Sequence, residues 1–167
     1  MRIFLSLFFT ISLLFSMDLK TINGNFTQTL TSPDEDIITY EGLIFLNLKG
    51  KALWRYSSPT PKEVYVNGKS VVVVEPLLEQ AIVAKIDSTF DINSLLKEQI
   101  ENGKKVVVYD GISYEVTFND FKPKTISYVD QMENRVKILF ENVELNGDFD
   151  VSVFTPNIPK EFDIIKN

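Results

Sequence analysis

Eleven short runs of β-forming residues, separated by only a few residues each, constrain this chain's fold more than any other feature. They cover residues 22–31, 38–48, 52–56, 63–67, 69–74, 79–86, 105–109, 112–118, 125–130, 135–142 and 149–154. Runs of that length and spacing build antiparallel sheet rather than alternating strand–helix units. Asn67-Gly68 and Asp110-Gly111 supply the positive φ angles that tight hairpins need, and Pro33, Pro59, Pro61, Pro76 and Pro123 are read as falling between strands. One amphipathic helix interrupts the series. Ile92, Leu95, Leu96 and Ile100 recur at helical spacing, Asp91 can cap its start, and Gly103 can end it. A second short helix is expected around residues 18–22. The fold class is therefore mainly β, with α+β character, and the helix lays its apolar stripe on one face of the sheet.

The two halves of that sheet differ in pattern. Ile112, Tyr114, Val116 and Phe118 alternate with Ser113, Glu115 and Thr117, and Val136, Ile138 and Phe140 alternate with Arg135, Lys137 and Glu141. Such strands have one wet face. In contrast, residues 43–46 and 71–74 are apolar on both faces, as are Leu53, Trp54 and Tyr56 nearby. Something must cover the second face there. Either a helix seals a core against it, or it forms a hydrophobic cavity or docking patch.

Composition removes whole classes of chemistry. The 167 residues include no cysteine and no histidine, which excludes disulfides, thiol nucleophiles, His-based triads and His-containing zinc sites. Carboxylates are left as the acid–base groups. Asp34, Glu35 and Asp36 are adjacent, but beside Pro33 and without a basic partner in sequence they read as a solvated hairpin loop. No metal or cofactor is expected. Met1 and Arg2 precede a nearly unbroken apolar run over residues 3–15, with the small residue Ser16 after it. This predicts a secretory signal peptide over 1–16 and a single domain over 17–167. A bilayer-spanning helix needs about 20 apolar residues, more than this run offers, and an uncleaved short anchor is the other reading. The net charge of −6 opposes nucleic acid and anionic lipid surfaces.

An ordered set of motifs then resembles one family. Phe26-Thr27-Gln28, the Leu53-Trp54-Arg55-Tyr56 strand with its Pro-containing break, Asn67-Gly68-Lys69 and Pro76-Leu77-Leu78-Glu79-Gln80-Ala81 are similar in order and spacing to the LolA family. These are periplasmic carriers of outer-membrane lipoproteins. Phe140-Glu141-Asn142, Phe154-Thr155-Pro156-Asn157-Ile158-Pro159 and Phe162-Asp163-Ile164-Ile165 resemble that family's closing strands. No single motif is specific; the ordered set carries the resemblance.

The resemblance implies an unclosed antiparallel β-barrel, a half-barrel with helices covering its concave face and a hydrophobic cavity between. It implies that a periplasmic monomer takes lipoprotein acyl chains from an inner-membrane ABC transporter to an outer-membrane acceptor. On this footing Trp54 and Tyr56, with Phe45, Leu53, Val64, Val72 and Leu78, are candidates for the cavity or its rim. Each is equally readable as plain core. The family's basic latch before its aromatic strand aligns with Gly50, so Lys49 or Lys51 would have to substitute, although lysines near a turn are usually just solvated. The amphipathic helix that the family carries before Phe-Thr-Gln has only about ten residues available here. A same-fold module for another lipid or protein ligand, and a carboxylate hydrolase, are the alternatives from other classes.

Overall fold

The computed structural model describes residues 19–85 and 101–166. Eleven strands make one continuous sheet: β1 (Thr21–Thr31), β2 (Ile37–Asn47), β3 (Lys51–Ser58), β4 (Lys62–Asn67), β5 (Ser70–Glu75), β6 (Gln80–Lys85), β7 (Asn102–Tyr109), β8 (Ile112–Asn119), β9 (Lys122–Val129), β10 (Arg135–Leu145) and β11 (Asp163–Lys166). Their order is β11-β6-β5-β4-β3-β2-β1-β10-β9-β8-β7, so the two end strands do not pair and the barrel is unclosed. Every ladder is antiparallel except β11 on β6. The central seam is β1, which pairs with β2 on one side and with β10 on the other, setting Phe26 opposite Phe140 and Gln28 opposite Ile138. Because neighbouring hairpin strands reverse direction, loops 32–36, 59–61, 76–79, 110–111 and 130–134 all fall at one end of the sheet, the upper rim.

Strand alternation sends apolar side chains to two cores. On the concave face Ile22, Phe26, Ile44, Leu46 and Ala52 meet Val116, Ile126, Ile138 and Phe140 from the other half of the sheet. On the opposite face of β3–β6, Leu53, Tyr65, Val74 and Ala81 pack with Phe154, and Phe45, Val72, Phe149, Val153, Ile158 and Phe162 join them. The second apolar face of β2–β5 is therefore covered by the chain's own C-terminal segment.

Several expectations need correction. Residues 149–154 are not a strand: Val151–Phe154 is a 3-10 turn, because Asp150 turns its carboxylate back to accept from the Ser152 N–H at 2.8 Å. The strand lies further on, at Asp163–Lys166. Pro123 sits inside β9, where the ladder with β8 shifts register and Phe118 faces Pro123. That irregularity tolerates the missing N–H. Asn67 ends β4 opposite Ser70, which makes Gly68-Lys69 the two-residue loop, with Gly68 at φ 57°. Asp110-Gly111 is the hairpin loop foreseen, with φ 49° and 75°. Instead of a helix at residues 18–22, Thr21 opens β1; Gly103 lies in β7. The leader at 1–16 and the helix residues Asp91, Ile92, Leu95, Leu96 and Ile100 lie outside the described residues.

Candidate functional site

The inner face of the curled sheet holds a cavity of about 290 Å³. Val64 and Val66 of β4 and Tyr114 of β8 share it, although six strand steps separate their strands in the sheet. At roughly 4.8 Å per step a flat sheet would hold them about 29 Å apart. The curl therefore makes the cavity. Among the described residues every lining side chain comes from a strand and none carries a formal charge: Trp54, Tyr56, Ile126, Tyr128, Ile138 and Gln28 complete it.

The aromatic side chains are locked by one another. Phe26, fully buried beneath the site, makes edge contacts at 5.0 Å between centroids with both Trp54 and Tyr56, and Trp54 lies 6.2 Å from Phe140. Tyr114 and Tyr128 meet at 4.8 Å. Ring pairs of this kind add about 0.5–1.5 kcal/mol each beyond their buried area. The Tyr56 O–H donates to Gln28 Oε1 at 3.0 Å, so the amide and the phenol satisfy each other rather than leaving polar atoms bare in an apolar space. Burial, reinforced by Tyr128 and Tyr40, pushes the Tyr56 phenol up to about 12. Burial, with Tyr114 and Asp130, does the same to Tyr128. Both stay neutral at any physiological pH. Such a cavity suits an apolar ligand and offers no nucleophile or acid–base pair.

The residues singled out from sequence divide between the two faces. Trp54, Tyr56 and Val64 line the cavity. Phe45, Leu53 and Val72 pack on the opposite face beneath the C-terminal segment. Leu78 closes a 3-10 turn (Pro76–Leu78) at the upper rim and is 63% exposed. Lys49 and Lys51 flank the β2–β3 turn at the lower end and are exposed, with the Lys49 N–H donating to Asn47 Oδ1 at 2.9 Å. The acidic run is solvent-exposed turn, as expected, but it has a partner that sequence distance concealed: Arg135 holds Glu35 through both carboxylate oxygens at 2.7 and 2.9 Å. Among the described residues no cluster of three acidic side chains is arranged to hold a metal.

Sequence reasoning missed Gln28, Val66, Tyr114, Ile126, Tyr128 and Ile138. For four of them the signal was parity: Gln28, Tyr114, Tyr128 and Ile138 each stand two residues from a buried neighbour on their strand, Phe26, Val116, Ile126 and Val136 in turn, while Val66 stands two residues from Val64. It also missed Lys62, whose ammonium lies 4.7 Å from the Tyr56 ring centroid and 5.4 Å from that of Tyr40. Two larger grooves, of about 440 and 430 Å³, are lined by charged side chains, Asp120, Lys122, Lys124 and Glu141 in one and Glu41, Arg55 and Glu141 in the other. Neither suits an apolar guest.

An uncharged, aromatic-walled hollow inside an unclosed antiparallel barrel defines the class: a half-barrel built to shelter an apolar ligand. The comparisons place it within that class. The family described as "Outer membrane lipoprotein carrier protein LolA" matches residues 17–108, and the chain belongs to that family. The Outer-membrane lipoprotein carrier protein of Campylobacter jejuni is 36% identical over 99% of both chains. That of Wolinella succinogenes is 30% identical over 87% of each. In fold alone, the crystal structure of an uncharacterized conserved protein from Thermus thermophilus is similar, with a TM-score of 0.58 at 8% identity over 89% of this chain and 91% of that one.

Proposed function

We propose that this protein is a periplasmic chaperone that holds the acyl chains of lipoproteins in its concave cavity while they cross from the inner to the outer membrane. The observation that carries the reading is the uncharged lining shared by both halves of the sheet. A chain of roughly sixteen carbons resists entering water by about 13 kcal/mol, at about 0.8 kcal/mol per methylene. Unassisted transfer across an aqueous compartment is correspondingly slow, and a carrier removes that barrier by exchanging one apolar surface for another. Relatives bearing the name outer-membrane lipoprotein carrier protein support the cargo.

On this reading the apolar run at residues 3–15 is a cleaved leader, and the donor is an inner-membrane ABC transporter. An outer-membrane acceptor receives the cargo, and the carrier works as a monomer without catalysis. Trp54, Tyr56 and Val64 contact the chains, and Leu78 meets partners at the rim. Phe45, Leu53 and Val72 brace the sheet from behind. The test is to isolate the protein from the periplasm and examine it by native mass spectrometry, alongside depletion in cells. The carrier reading expects a copurifying acylated lipoprotein and lipoproteins stranded in the inner membrane on depletion. Normal sorting in depleted cells would overturn it.

A further inference from the structure

The cavity is not uniform along its length. The β3–β4 ladder places Tyr56 opposite Lys62, then Trp54 opposite Val64, then Ala52 opposite Val66, each step about 7 Å further from the upper rim. The β1–β10 ladder has Gln28 beside Ile138 near the rim and Phe26 beside Phe140 deeper in. Polar atoms therefore gather at the rim end, where Tyr56, Gln28, Tyr128 and Lys62 stand, and the floor is hydrocarbon and aromatic. This gradient matches the polarity of an acyl chain joined to its carrier molecule through oxygen atoms.

Among these four residues Lys62 alone carries a formal charge. It is half-buried, and its ammonium rests over the Tyr56 and Tyr40 rings, which restrict it without using its N–H donors. Among the described residues no carboxylate pairs with it. An ammonium held at the mouth of an apolar hollow, with no carboxylate partner among the described residues, is a site for an oxygen acceptor.

We propose that Lys62 binds the oxygen-bearing head of the acyl group at the upper rim and so fixes the chain's direction, with its methyl end toward Ala52 and Val66. The inference rests on the carrier reading above. In cargo the acceptor is an ester or amide carbonyl; in a free fatty acid it is the carboxylate, whose charge makes the contact easier to measure.

The experiment compares hexadecanoate with its methyl ester on the full-length processed protein. The wild type is expected to prefer hexadecanoate by about tenfold at low salt. Lys62→Met should bring the two affinities close to equal, and Lys62→Arg should keep the preference. Trp54 is the sole tryptophan and lies one ladder step inward from Lys62, so bromine atoms on the carboxyl half of the chain should quench its fluorescence more than bromines near the methyl end. An unchanged preference in Lys62→Met, or the reverse order of quenching, overturns the assignment while leaving the carrier reading standing. Binding of neither probe overturns both.

Discussion

At Gly42 the backbones of β2 and β3 come so close that a β-carbon would press on the carbonyl oxygen of Arg55 and sit 2.9 Å from Phe26 Cε1. The ladder shifts register at this point, between Glu41 and Gly42. Gly42→Ala should therefore cost about 1–3 kcal/mol through overpacking, measured as a lowered denaturant midpoint. Val64 makes the opposite kind of prediction. It lines the cavity at the edge of the core and is only half-buried, so Val64→Glu should leave the fold largely intact and abolish acyl-probe binding. Retained binding by a folded Val64→Glu protein would remove this wall from the site. Residue roles were partly legible: Trp54 and Val64 against Leu53 and Tyr65 follow from a period of two. What the period could not supply is which face is concave, because both faces of these strands are apolar and the C-terminal segment that covers one of them lies about a hundred residues away in sequence.

Among the elements, the C-terminal segment covers the outer face of β3–β6. Phe154, 8% exposed, meets Phe149 edge to face, and Phe149 in turn meets Phe45. Phe154→Ala should cost about 3–5 kcal/mol, read in equilibrium unfolding, without changing acyl affinity in the protein that remains folded. This segment resists prediction because Phe149, Val151 and Val153 alternate like a strand, while the cap from Asp150 to Ser152 decides otherwise. Turns divided in the same way. Asp110-Gly111 was readable, but the β8–β9 hairpin turns on Asp120-Phe121, both at positive φ, and nothing in a phenylalanine announces that conformation. The tyrosines that wall the cavity also set a pH limit. Tyr56 and Tyr128 titrate near 10.0 when unfolded and near 12 in the fold. Below pH 10 both states keep the protons and these groups leave stability unchanged. Between about 10 and about 12 only the unfolded chain releases them, so stability falls as pH rises through that window. Denaturant midpoints measured across it should drop, and the double change Tyr56→Phe with Tyr128→Phe should flatten the drop.

For the molecule as a whole, the decisive contacts are those that no local pattern reveals. β1 pairs with β10 across more than a hundred residues of chain, and that seam joins the two halves whose curl encloses the cavity. Ten of the eleven strands were visible as runs of β-forming residues close to their true positions; the order that turns them into a half-barrel came from the family resemblance. The central claim is that cargo occupies the concave face and not the outer one. A photo-crosslinking amino acid placed in living cells at Val64, inside the cavity, and at Leu43, on the outer face with Arg55, tests it most directly. A crosslinked acylated lipoprotein is expected from position 64 and none from position 43. Crosslinking of that cargo from position 43 alone would contradict the central claim.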